Sequence, residues 1–456
     1  MSVAFRFLHT ADLHLDSPFG GLSEAAPPGV ASAVRRATLG SWRRIVELAV
    51  SEGVDFVLVA GDVFDSDERT IRGQLAFVDG LRTLAEAGIP SFVVTGNHDP
   101  LSGWEPSLAW PAGAYRFGAG QVESRPVTRE GVEIARVHGI SYGVRDVREN
   151  LASRFRKEPG SRFAIGLLHA NVGGQPGHEN YAPCSVADLL GSGMDYWALG
   201  HVHRPQVLRE GSPAIVYAGN PQGRDPGELE PRGAMLVSVD GAGRAGVELR
   251  ELDEIRWVAR TVDIAGHGDL DELLGRLERE LDEARAAAGR PVIARVELTG
   301  FGRLHAELQR SDAIRDLRER LVDRLASQEP FVWLAALHDG TRPREARAIE
   351  RAGEFLGELE AVVKLAITSA GGEPSLRPGV GPSAASDPDA RPGSDAAVVF
   401  DPGTVIDEVF ANPQVTAALR AAAIGESRLR RPDAAARAGL LRRAHQRIVD
   451  ELAGRK

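Results

Sequence analysis

Residues 5–14 read FRFLHTADLH, an apolar run that ends in Asp12-Leu13-His14. The same construction recurs four times. Residues 54–65 (VDFVLVAGDVFD) carry Gly61-Asp62-Val63-Phe64-Asp65, and residues 91–99 (SFVVTGNHD) carry Gly96-Asn97-His98-Asp99. Residues 163–170 (FAIGLLHA) end in Leu168-His169-Ala170, and residues 196–203 (YWALGHVH) end in Gly200-His201-Val202-His203. The apolar runs are short and rich in β-branched and aromatic residues, as in buried strands. Longer amphipathic stretches at 31–52 and 70–88 separate the first three, and another strand is predicted at 215–218. This alternation predicts a layered α/β fold. Ligands of open α/β sheets bind beyond the carboxyl ends of the strands, so the five polar segments are predicted to meet on one rim.

The side chains at that rim are carboxylates, imidazoles and a carboxamide, without a thiolate. Such donors suit Mn²⁺, Fe²⁺ or Mg²⁺, with Zn²⁺ also compatible. Asp12 and His14, and likewise His201 and His203, are two residues apart, so in an extended segment both members of a pair face one cluster. One carboxylate, Asp62, can bridge two ions, and paired ions roughly 3.5–4 Å apart clamp the attacking and leaving oxygens of phosphoryl transfer. Arg204 and Arg224 are close enough in sequence to the rim to contact substrate phosphates.

The order D-x-H, G-D, G-N-H-D, a lone His and G-H-x-H resembles the calcineurin-like metallophosphoesterases over about residues 5–220. The wording HTADLHLDSP, AGDVFD, TGNHDP, GHVHRP and VYAGNPQGR is similar to the SbcD and YhaO branch of bacterial DNA repair nucleases. The resemblance implies two divalent ions, most simply Mn²⁺. Asp12, His14, Asp62 and His203 would hold one, and Asp62, Asn97, His169 and His201 the other. His98 would stand beside the scissile phosphate as a catalytic group, oriented or charge-tuned by Asp65, while Asn220 and Arg224 would help to bind substrate. The resemblance also implies DNA as substrate, a coiled-coil ATPase resembling SbcC or YhaN as partner, and a homodimer as a further possibility. Asp99 is read as tying down its own loop. His9, Asp16, His138 and His178 are read as structural or surface residues.

With 456 residues the chain has room for two or three domains. Residues 1–255 are read as the phosphoesterase domain, and 256–370 as an α+β capping domain with a trailing helix. The pattern in the second is strand, helix (269–288), strand, helix (303–326), strand. Residues 371–396 are Gly-, Pro- and Ser-rich and have almost no large apolar side chains, the composition of a flexible linker. Residues 397–456, with 10 basic against 7 acidic residues, are read as a helical tail that could dock a partner.

The net charge of −10 opposes a phosphate-backbone substrate, although bound cations would neutralise several acids at the site. The single cysteine, Cys184, excludes an internal disulfide and suits a reducing cytoplasm. No signal peptide or membrane-length apolar stretch is apparent. The leading functional expectation is a metal-dependent DNA nuclease. The alternatives are a metallophosphatase or phosphodiesterase of another substrate class and a non-catalytic DNA- or partner-binding scaffold. An extra module, linker and tail favour the nuclease, and the intact donor set disfavours the scaffold.

Overall fold

The computed structural model describes residues 4–17, 19, 26–65, 70–103, 108–175, 177, 179–326 and 328–343. The expectations for a linker at 371–396, a helical tail at 397–456, all but the first two residues of a trailing helix over 342–368, and for His178 lie outside the described residues.

Two six-stranded sheets form the body of the molecule. In the first, β1 (Phe5–Thr10), β2 (Phe56–Ala60), β3 (Ser91–Val94) and β4 (Ala114–Arg116) run parallel. The antiparallel pair β11 (Gly233–Val239) and β12 (Ala245–Glu251) completes its β1 edge. The second sheet has the order β5 (Glu123–Arg129), β6 (Val132–Gly139), β7 (Ala164–His169), β8 (Tyr196–Gly200), β10 (Ala214–Tyr217) and β9 (Gln206–Arg209). Its central strands β6, β7, β8 and β10 are parallel.

Every residue of β2 is buried, yet its side chains still divide by period two. Phe56, Leu58 and Ala60 enter the core between the sheets with Phe7, Phe92, Ile165, Tyr196 and Val216. Val57 and Val59 pack on the other face with Trp42, Ile45, Phe77 and Leu81 from helices α1 (Pro28–Glu52) and α2 (Ile71–Glu86). Phe7 stacks on Phe56 with ring centroids 4.8 Å apart and meets Tyr196 edge-on at 5.2 Å, so aromatic contacts join the two sheets below the rim. Helix α3 (Val186–Gly191), which opens on a Ser185–Asp188 capping box, contributes Leu189 to the outer face of the second sheet beside Trp197 and Ile215.

A third sheet is fully parallel, in the order β13 (Arg256–Asp263), β14 (Val292–Thr299), β15 (Val332–Asp339). Helix α4 (Leu270–Ala288), capped by Asp269, links the first two strands. The helix expected over 303–326 is instead two, α5 (His305–Leu308) and α6 (Ala313–Leu325). Asp312 at the start of α6 has φ +70° and breaks the run. By compactness the chain divides into Met1–Thr299 with Leu308–Gly340, and Gly300–Glu307 with Thr341–Lys456. Within the first unit Trp257, Ile293 and Trp333 of the third sheet share a core with Val30, Val34 and Ala37 of α1. No helix among the described residues is long and apolar enough to cross a membrane.

Trp257 is the central member of that shared core. It is 1% exposed, and its Nε1 donates to the Gly223 carbonyl at 3.1 Å. Trp257→Ala is expected to lower the unfolding free energy by about 3–5 kcal/mol, read from urea denaturation by circular dichroism. A change within about 0.5 kcal/mol, the range of an unremarkable surface site, would contradict this packing.

Candidate metal centre

The five polar segments leave the carboxyl ends of β1, β2, β3, β7 and β8 and come together across both sheets. Asp12, His14 and His169 are fully buried, and Asp62, Asn97 and His201 nearly so. The ligand atoms of Asp12, His14 and His203 lie within 4.8 Å of one another, as do those of Asp12, Asp62 and His169, and those of His14, Asp65 and His98. Asn97 Oδ1 is 3.0 Å from His169 Nε2 and 3.2 Å from His201 Nδ1.

The backbone that presents these groups is not extended, which corrects the reason given for the D-x-H and H-x-H spacing. Asp12, His14, Asp62 and His201 all have positive φ, at 52°, 43°, 51° and 97°. For non-glycine residues this conformation costs of order 1–3 kcal/mol each and persists only where surrounding bonds enforce it. Those bonds are present. Pairing between the loops after β1 and β2 continues past the strand ends, with Asp12 N–H to Gly61 O at 3.0 Å and His14 N–H to Asp62 O at 3.1 Å. The His201 N–H donates to the Asp12 carboxylate at 3.1 Å, and the His98 N–H to Asp62 Oδ1 at 2.9 Å. Asp99 accepts from Gly96 N–H at 2.7 Å and Val63 N–H at 2.8 Å, tying the loop after β3 to the loop after β2.

Each of four imidazoles has one ring nitrogen on an atom that can only accept. His14 Nδ1 meets Asp65 at 2.6 Å and His203 Nδ1 meets Glu228 at 2.5 Å. His169 Nδ1 meets the Ala60 carbonyl at 2.9 Å, and His201 Nε2 the Glu179 carbonyl at 2.7 Å. Those nitrogens must carry the N–H, so in the neutral rings the opposite nitrogens present lone pairs. These converge: His14 Nε2 is 3.2 Å from His203 Nε2, and His169 Nε2 and His201 Nδ1 both face Asn97 Oδ1. Metal-ligating histidines are braced in this way, by a carboxylate or carbonyl behind the ring. The residues present therefore fit a divalent-cation site, with oxygen and imidazole donors aimed inward.

The electrostatics agree. Burial pushes the Asp12 carboxyl up. Burial also works against ionised Asp62, but the charge on His169 holds it well below the usual carboxylate range. Against its own burial His169 is raised to about 9, chiefly by Asp62 and then Asp12. Burial and the Arg224 guanidinium push His14 down to about 4. Asp62 groups with Asp12 and His169, while Asp12 also groups with His14 and His203. The Asp62 Oδ1 takes the His98 N–H and its Oδ2 lies 3.3 Å from His169.

The remaining sequence candidates divide. Asp65 touches His14, His98 (3.1 Å), Ser17 and Arg224 (2.8 Å), so it braces one cluster residue and His98 together. The Arg224 guanidinium is engaged with Asp65 and Ser17. Arg204 is exposed. Asn220 is fully buried, and its carboxamide is spent on Glu228 (2.9 Å) and Arg232. This side chain braces its loop. His9 is a core residue bonded to Tyr196 and Leu199, and Asp16 pairs with Arg72 and Thr70. Sequence reasoning missed Glu228, Ser17 and the Glu179 carbonyl. Nothing in GRDPGELEPR separates Glu228 from Glu230, whereas Ser17 at least lies inside the quoted HTADLHLDSP.

The calcineurin-like phosphoesterase family matches residues 5–205, and the middle domain of the metallophosphoesterase YhaO matches residues 257–342. The uncharacterized metallophosphoesterase YhaO of Bacillus subtilis is 37% identical over 336 residues, 74% of this chain and 81% of that protein. The chain belongs to the calcineurin-like metallophosphoesterase family. Among its more distant relatives, the DNA double-strand break repair protein Mre11 of Aeropyrum pernix is 29% identical over 62% of this chain and 69% of that protein. The SbcD component of the SbcCD nuclease of B. subtilis is 27% identical over 47% of this chain and 61% of that protein. Metallophosphoesterases of this family use divalent metal ions, in keeping with the donor set.

The glycines of the motifs make room for the cluster. A Cβ on Gly96 would meet Asp62 Oδ1 and the His169 ring, and one on Gly200 would meet the Ala60 carbonyl. Gly96→Ala is therefore expected to displace Asp62 and His169 and strip bound metal, measured by elemental analysis, while circular dichroism stays near wild type. Undiminished metal content would contradict the close approach.

Proposed function

We propose that the chain is a two-metal phosphodiesterase that cleaves DNA at ends, acting in DNA repair with a coiled-coil ATPase resembling SbcC or YhaN. The observation that carries the metal-dependent part is the set of four imidazoles, each braced from outside so that its other nitrogen joins Asp12, Asp62 and Asn97. In this reading Asp12, His14, Asp62 and His203 hold one ion, and Asp62, Asn97, His169 and His201 the other, with Mn²⁺ the simplest occupant. Bound divalent cations supply Lewis acidity and a lowered water pKa for attack at phosphorus.

His98 is the proton carrier. Burial opposes its charge, but Asp65 at 3.1 Å and nearby Asp62 raise its pKa above the ordinary imidazole value. With Nδ1 directed to Asp65, Nε2 is the atom that donates to the departing oxygen. Asp65 is its positioning residue and also holds His14. Arg224, anchored on Asp65 and Ser17, carries positive charge into the same group. DNA as substrate is supported by the names of the Mre11 and SbcD relatives. A second reading, a phosphoester smaller than DNA, is supported by the net charge of −10.

Purified protein with Mn²⁺, end-labelled duplex and single-stranded DNA, and a chromogenic phosphodiester distinguishes the two. Degradation of labelled DNA is expected. Cleavage of the chromogenic ester alone would favour the second reading. His98→Ala should keep its metal content by elemental analysis and lose about 10²–10⁴-fold in cleavage rate. Loss of metal from that variant would make His98 a ligand.

A further inference from the structure

Behind the four imidazoles the bracing groups are not equivalent. His14 and His203 are backed by carboxylates, Asp65 and Glu228, whereas His169 and His201 are backed by peptide carbonyls, those of Ala60 and Glu179. An anionic partner on the outer N–H makes an imidazole a more basic donor and fixes its orientation. On that ground the position lined by Asp12, His14 and His203 attracts a cation more strongly than the position lined by Asn97, His169 and His201.

Glu228 is the less expected of the two carboxylates, because it lies outside all five motifs. Its Oε1 is 2.5 Å from His203 Nδ1. Its Oε2 accepts from Asn220 Nδ2 at 2.9 Å and from the Arg224 N–H at 2.7 Å, with the Asp225 N–H at 3.3 Å. One carboxylate thus folds the 220–228 loop around itself while holding the His203 ring. That loop also delivers the Arg224 guanidinium to Asp65, the brace of His14. Arg232 reinforces the arrangement by donating to the His203 carbonyl and to Asn220. The side chain of Glu228 is only 14% exposed, so water is a poor substitute for it.

We infer that Glu228 is a positioning residue that orients His203 and makes the Asp12–His14–His203 position the tighter of two cation sites. The inference rests on the two-metal reading above. Its test uses the full-length, metal-free protein titrated with Co²⁺, followed by visible absorption and calorimetry, with no substrate present. The wild type should show two classes of site. Glu228→Ala should weaken the tighter class by about 10–100-fold and leave the weaker class in place. Glu228→Gln keeps an acceptor for the His203 N–H without the charge, and should fall between Glu228→Ala and wild type. If Glu228→Ala lowers the melting temperature of the metal-free protein, Glu228→Gln alone is compared with wild type. A wild type that binds fewer than two ions contradicts the two-metal reading itself. A wild type with two classes, both unchanged in the variants or both lost together, overturns the role of Glu228 alone.

Discussion

Two buried carboxylates, a carboxamide oxygen and the inner nitrogens of four imidazoles face one another where five strands end, and positive charge among them holds them together. Without it, Asp12 and Asp62 would be charges removed from water with chiefly the His201 and His98 N–H groups to offset a penalty of several kcal/mol per ion. In the metal-free protein His169, held at about 9 by those carboxylates against its own burial, supplies part of the compensation with a proton. A divalent cation does so more completely. The left-handed backbone at Asp12, His14, Asp62 and His201, the glycines without room for a Cβ, and the acceptors behind each imidazole all work to the same end. They prevent a mutually repelling set of donors from relaxing apart.

That rigidity comes from below the rim. Phe7, Phe56 and Tyr196 lock the two sheets face to face, so the loops after β1, β2 and β3 and those after β7 and β8 have a fixed separation. The third sheet contributes as well. Gln222 accepts from the Glu254 N–H at 2.8 Å and donates to the Ile255 carbonyl at 2.7 Å, while Trp257 holds the Gly223 carbonyl. The segment Asn220–Arg224 is therefore pinned through its middle to the start of β13, and through its ends, Asn220 and Arg224, to Glu228 and Asp65 at the site. This gives a physical reason for the VYAGNPQGR run. Its Gln and Gly are anchors, and its Arg is what they present.

What could be read from the chain follows from these constraints. The five motifs were legible because each closes a buried apolar run, and β1, β2, β3, β7 and β8 are all where such runs predict strands. That these side chains would meet was legible because each lies at the carboxyl end of a strand in an α/β sheet. The edge strands were not. In β12 the alternation AGVELRE buries little and mixes Arg with Glu, a pattern that protects an edge and hides a strand. The break at Asp312 was invisible because Asp and its neighbours are compatible with a continuous helix. The positive φ values at the site and the roles of Glu228, Asn220 and the Glu179 carbonyl depend on contacts between residues far apart in sequence.

In the proposed function these donors hold two cations that share Asp62. The most direct measurement is anomalous diffraction at the manganese edge from crystals of the protein soaked in Mn²⁺. Two peaks, one beside Asp12, His14 and His203 and one beside Asn97, His169 and His201, separated by roughly 3.5–4 Å, are the expected result. A single peak, or none at these residues, would contradict the account.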